Sequence, residues 1–182
     1  MSNQILPVIG QDKLITEIEK IFTIFEASEG EIKPHFILTG ESGSGKTFTI
    51  NSFAAKYKLN FVEVNATQIT KEGTSGNSLS KCLSPLINTH NSLTVIFVDE
   101  FDKLFISGNS NDSQAHESTT GVQNEFLKLL EGRTTQVFGD YGKYVSIPLN
   151  KILFVFAGAF NNEKDITLDR LREIGIKTEF LG

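Results

Sequence analysis

The stretch HFILTGESGSGKTFTI, residues 35–50, decides how the rest of the chain is read. A short apolar run gives way to Gly40-Glu41-Ser42-Gly43-Ser44-Gly45-Lys46-Thr47, and a helical segment over 47–57 follows. Strand, glycine loop and helix in that order form the phosphate-loop pattern G-x-x-x-x-G-K-[ST] in the context its mechanism needs. The glycines let the backbone curl until successive N–H groups point at phosphate oxygens, where a Cβ would hold the phosphates off. The loop delivers its anion to a helix start, where unpaired N–H groups and the helix dipole favour negative charge. Lys46 then reaches the β- and γ-phosphates, and the Thr47 hydroxyl is placed to ligate Mg²⁺. A chance match in a chain of this length occurs on the order of once in a hundred.

Some fifty residues on, TVIFVDEFDKL supplies the second half of the pattern. The run before Asp99 is apolar at successive positions, so its strand is expected to be covered on both faces. In a parallel sheet, ligands gather at the carboxyl ends of the strands. Asp99 and Glu100 would therefore arrive beside the glycine loop. Asp99 is read as holding Mg²⁺ through its water shell, and Glu100 as orienting and polarising an attacking water. Adjacent acids on a surface loop are usually just solvated; these two end a buried strand. A glutamate directly after the magnesium aspartate favours hydrolysis over transfer to a bound acceptor.

The remaining elements alternate. Residues 11–27 read as an amphipathic helix with Leu14, Ile18, Ile21, Phe22 and Phe25 on one face. HFILT, NFVEVN, LTVIFV and KILFVFAGAF read as strands. Residues 78–87, 122–130 and 166–174 read as helices, the second with Val122, Phe126, Leu129 and Leu130 inward. Residues 107–120, SGNSNDSQAHESTT, are polar and read as a disordered excursion or a functional loop. TQVFGDYGKYVSI reads as a β-hairpin. The expected class is α/β, with a mostly parallel sheet flanked by helices.

Composition narrows the function classes. The 182 residues fit one domain, or one and a fragment, long enough to bury roughly 70% of the unfolded surface. There are 17 Lys and Arg against 22 Asp and Glu, net charge −5, which disfavours a nucleic-acid partner. Cys82 is the single cysteine, so neither an internal disulfide framework nor a cysteine-based zinc site is available. His35, His90 and His116 show no metal-ligand spacing. The opening MSNQILPVIG has no signal-peptide character, and no apolar run reaches membrane-spanning length. A cytoplasmic protein without a membrane partner is the expectation.

With these motifs in hand, the sequence resembles the AAA+ ATPases, and within them the ClpX and HslU unfoldases. GESGSGKT and VDEFDKL are similar to the family's Walker A and Walker B segments. PVIGQDKL resembles the segment that encloses the adenine, which implies that Val8 and Ile9 line that pocket. GVQNEFLKLLEG is close to the helix after the second pore loop. NKILFVFAGAF resembles the sensor-1 strand, and the hairpin before it fits the pre-sensor-1 insertion. IGIKTEFLG resembles the segment leading to the arginine finger. The resemblance implies an AAA+ large ATPase subdomain over residues 1–182, using ATP/ADP and Mg²⁺. It also implies a homo-oligomeric ring, a hexamer, that remodels or unfolds a protein partner.

The sequence departs from the resemblance in three places. Gly73, Thr74, Ser75 and Gly76 stand where the unfoldases' first pore loop carries an aromatic and an apolar residue. Burying one large apolar side chain contributes roughly 1.5–3 kcal/mol, most of which Thr and Ser give up. A slow nucleotide-gated assembly or loader module that threads nothing is therefore the alternative reading. The family's arginine finger, fifth strand and small helical domain do not follow, so a fragment of a longer protein is expected, with the phosphate-loop strand as a sheet edge. Arg170 and Arg172 read as helix surface charges instead. The sensor-1 strand ends on small residues, leaving Asn161 as the nearest polar candidate. Asp102 fits the family's DE-x-D pattern, or a charge contact at a helix start. A DNA motor and a small-molecule phosphotransferase are further alternatives, opposed by the charge balance and by the acid pair respectively.

Overall fold

The computed structural model describes residues 12–41, 43–70, 77–105 and 113–159. In chain order these form α1 (Asp12–Ala27), β1 (Phe36–Thr39), α2 (Lys46–Lys56), β2 (Asn60–Asn65), β3 (Ile69–Thr70) and β4 (Asn77–Ser78). There follow α3 (Leu79–Cys82), α4 (Leu86–Thr89), β5 (Thr94–Asp99), α5 (Ser113–Glu131), β6 (Thr134–Phe138), β7 (Tyr144–Pro148) and β8 (Ile152–Gly158). Val8, Ile9, Ser42, Gly73, Thr74, Ser75, Gly76, Asn161 and the helix expected over 166–174, with Arg170 and Arg172, lie outside the described residues. Among the described residues no helix is long and apolar enough to cross a membrane.

The central sheet has the order β1-β8-β5-β2, every pair parallel. Side chains alternate across a strand, and the sheet accordingly separates two apolar clusters. Phe36, Leu38, Val95, Phe97, Leu153, Val155 and Ala157 face α1 and α2, where Ile18, Ile21, Phe22, Phe25, Ile50 and Phe53 meet them. Ile37, Ile96, Val98, Ile152, Phe154 and Phe156 face the other way, onto Leu79, Leu86, Phe126, Val137 and Ile147. The continuous apolar runs thus have cover on both faces, as their composition requires. In this sheet β1 is an edge strand among the described residues.

Two expectations need correcting, and one short ladder was not foreseen. The helix expected over 78–87 is two short helices, because Pro85 offers no N–H and its ring cannot fit beneath the preceding turn. The polar stretch is helical from Ser113, well before the expected start at 122. Its first two turns carry no apolar stripe, so periodicity could not mark them; Val122, Phe126 and Leu129 are buried, and Leu130 is partly so. The ladder between β3 and β4, two residues long, bridges a stretch with no strand pattern at all. The hairpin β6–β7 forms as expected, with Val137 opposite Val145. Its tip is a 3-10 turn, Asp140–Gly142, where Tyr141 stands at φ 60° and is fully exposed.

His35, just ahead of β1, closes the β1–β8 ladder. Its Nδ1 accepts the Phe154 N–H at 2.9 Å, and its ring meets Phe154 edge-on. Burial, reinforced by the nearby Lys33 charge, lowers the imidazole pKa from 6.5 to about 4. The folded state therefore holds His35 neutral while the unfolded chain protonates it near 6.5. That contribution is fully present above 6.5 and is lost as pH falls through about 4. Urea unfolding between neutral and acid pH is expected to show a loss on the order of 2 kcal/mol that His35→Gln lacks. Parallel pH profiles for parent and variant would refute it.

Candidate active site

The sheet register places the chemistry. Thr39 pairs with Gly158, and Asn65 pairs with Asp99, so the carboxyl ends of all four strands finish at one edge. Because β8 lies between β1 and β5, its end forms a floor, with the glycine loop on one side and the segment after Asp99 on the other. Between them is a cavity of about 520 Å³. Residues 43–48 line one wall, Asp99, Glu100, Asp102 and Lys103 the other, and Gly158 and Ala159 the floor.

The loop wall follows from its backbone. Gly43 and Gly45 have φ 81° and 86°, in the left-handed region that other residues enter at a cost. A Cβ at either would meet nothing within 4 Å, so conformation demands glycine here, and the open side is where an anion has room. The Gly40 N–H donates to the Gly158 carbonyl at 3.2 Å, tying the loop to the floor. Lys46 Nζ donates to the carbonyls of Gly40 at 2.5 Å and Glu41 at 2.9 Å, and lies 3.5 Å from Ser44 Oγ. Gly40 and Glu41 therefore stand behind the cavity and hold the lysine, whereas Gly43, Ser44, Gly45, Lys46 and Thr47 line it.

The acid wall is held by strain and packing. Glu100 adopts φ 54°, uncommon for a residue with a long side chain. Its N–H donates to Asp99 Oδ1 at 2.8 Å. Phe101, 1% exposed, anchors the turn: its ring lies 4.4 Å from that of Phe156 and 5.4 Å from that of Phe126. The Thr67 hydroxyl reaches Glu100 Oε2 at 3.3 Å and Asn65 Oδ1 at 2.6 Å. One hydroxyl proton cannot serve both acceptors, so the Glu100 contact competes with the Asn65 contact. Sequence reading missed Thr67 and Asn65. Their signal was spatial: β2 ends beside Asp99 only once the strand order is known.

Gly158 answers a packing demand. A Cβ there would lie 2.5 Å from Asp102 Oδ1 and 2.9 Å from Asp102 Cβ. Its small size lets Asp102 close against the floor. The small residues expected at the end of the sensor strand thus have a neighbour that explains one of them.

A family described as "ATPase family associated with various cellular activities (AAA)" matches residues 36–180. The chain belongs to this family of ATPases. Within it, the chain is ClpX-like. It is similar to the ATP-binding subunit ClpX of the ATP-dependent Clp protease from Treponema denticola, 30% identical over 162 residues. That match covers 82% of this chain and 38% of the relative. The ClpX of Borrelia duttonii is 30% identical over 176 residues, covering 87% and 40%. That of Bacteroides thetaiotaomicron is 31% identical over 147 residues, covering 74% and 36%. The chain therefore spans well under half the length of these relatives.

The left-handed backbone at Glu100 leads to a stability prediction. A left-handed L-residue costs roughly 1–2 kcal/mol, part of which glycine returns as unfolded-state entropy. Glu100→Gly is expected to unfold at an equal or higher urea concentration than the parent, by up to about 1 kcal/mol. A clear loss of stability would show that the side chain holds the turn in place.

Proposed function

We propose that the chain binds ATP with Mg²⁺ in this cavity and hydrolyses it, as the large ATPase subdomain, residues 1–182, of a ring-forming protein remodeller. The observation that carries the reading is convergence. The phosphate loop after β1 and the acid pair after β5 line one cavity, although half a hundred residues separate them in the chain. The main-chain amides of residues 43–47 and the Lys46 ammonium would take the phosphates.

Hard oxygen donors suit magnesium, which keeps several waters and leans on phosphate oxygens and one or two protein groups. The Thr47 hydroxyl and Asp99 carboxylate fit that role. Among the described residues no cluster of three His, Cys, Asp or Glu offers a cage of its own. Held by Thr47 and Asp99, the ion would supply charge neutralisation to the phosphates. Glu100 accepts a proton from the water it aligns with the γ-phosphorus. Thr67, competing between Asn65 and Glu100, sets whether that carboxylate is free to do so.

The relatives are ATP-binding subunits of an ATP-dependent protease. Together with the resemblance to unfoldases, that supports a protein substrate; the six-membered ring and the cytoplasmic location rest on the resemblance. A second reading has a specific observation in its favour. Gly73-Thr74-Ser75-Gly76 offers no large apolar side chain for gripping a threaded polypeptide. On that reading the protein is a slow nucleotide-gated assembly or loader module.

Mutation and partner addition test both levels. Glu100→Gln is expected to bind ATP at close to the parent affinity and to lose turnover by about 10²-fold or more. Lys46→Ala is expected to lose binding. A Gln variant hydrolysing at the parent rate would remove Glu100 from the chemistry. Candidate protein substrates that raise the ATPase rate and are unfolded support the remodelling reading. Nucleotide-dependent capture without unfolding supports the loader.

A further inference from the structure

The 3-10 turn Phe101–Phe105 carries a side chain that the proposed chemistry has not used. Phe101 and Leu104, three residues apart, are 1% and 5% exposed. With three residues per turn, burying that pair turns Asp102 and Lys103 to the other side, and both line the cavity. Asp102 is closed against Gly158. The Lys103 N–H donates to the Glu100 carbonyl at 3.1 Å, which fixes where its side chain begins. That side chain is exposed and makes no ion pair among the described residues.

The charge on this wall makes the position informative. Asp99, Glu100 and Asp102 place three carboxylates where the end of a triphosphate would arrive. Lys46 sits on the far wall, held by the loop's own carbonyls. Anionic phosphate approaching three acids is repelled unless cations stand among them. Magnesium held by Asp99 would supply one, and Lys103 lines the same wall as a second.

We infer that Lys103 is a γ-phosphate-binding residue acting within its own subunit, facing Lys46 across the cavity and favouring ATP over ADP. This rests on the ATP reading of the same cavity. It deepens that reading by assigning recognition of the terminal phosphate to the turn after the acid pair. The loop amides and Lys46 serve ADP and ATP alike through the α- and β-phosphates, and Lys103 joins Lys46 only at the γ-phosphate, so loss of Lys103 weakens the triphosphate selectively. Among the described residues the ammonium makes no ion pair, and a flexible stem lets it follow the terminal phosphate until that group leaves.

The test displaces a fluorescent ADP analogue from the full chain, with Mg²⁺ present, using ADP or a non-hydrolysable ATP analogue. Lys103→Met is expected to weaken the ATP analogue about tenfold while ADP affinity stays within about twofold of the parent. Unchanged ADP affinity also reports an intact loop and fold. An ATP-to-ADP preference equal to the parent's overturns the inference, and so does an equal loss for both nucleotides. If the parent binds neither nucleotide, the ATP reading itself fails, an outcome distinct from a failure of Lys103.

Discussion

The site depends on one set of in-register parallel ladders. β1, β8, β5 and β2 run side by side, and their last residues, Thr39, Gly158, Asp99 and Asn65, finish at the same edge. Parallel pairing requires a long crossover between successive strands. Here the crossovers are the helices that bury both faces. A slip of one residue in any ladder would turn that strand's apolar side chains to the wrong cluster. The two apolar clusters therefore hold the register, and the register holds the cavity. The loop, the acids and the floor meet because the core on each face accepts one alignment.

Upon that frame the site stores local cost. Gly43, Gly45 and Glu100 are all left-handed, the last without glycine's freedom. Such conformations persist where surrounding packing over-determines them. For Glu100 the packing is visible. Asp99 Oδ1 accepts its N–H before it, and the Phe101 ring packs against both Phe156 and Phe126 after it. The aromatic anchor lies in the core cluster that also contains Phe126 of α5 and Ile147 of the hairpin. The acid wall is thus mechanically continuous with α5, whose Gln123 amide donates to the Leu104 carbonyl. α5 and the Glu100 turn are joined by packed side chains and by the Gln123 hydrogen bond.

Much of the architecture was legible in the chain because its signals are local. The four main strands stand within a residue or so of their expected places, and α2 begins at Lys46 where the loop pattern puts it. The errors share a cause. Pro85 divides a segment whose apolar spacing looked continuous. The first turns of α5 are polar, so nothing in their periodicity distinguished helix from loop. β3 and β4 owe their pairing to the surrounding fold and to no pattern of their own. At the site, Lys46, Thr47, Asp99 and Glu100 were singled out because they stand at marked positions of contiguous motifs. Thr67 and Asn65 come to the site only in space, and Lys103, although inside VDEFDKL, holds a position the pattern does not mark.

By itself, the sequence determined the backbone chemistry of the loop, the order of the four main strands along the chain, and the pairing of an aspartate with a glutamate at a strand end. Those are properties of spacing and residue type. Only the tertiary structure decided which strand lies beside which, and therefore that Gly158 must be small to admit Asp102. It also decided that Thr67 reaches Glu100 and that Lys103 lines the cavity beside the glycine loop. The physical reason is the parallel sheet, which brings together side chains far apart in sequence through a register that the apolar cores, not the motif residues, hold in place.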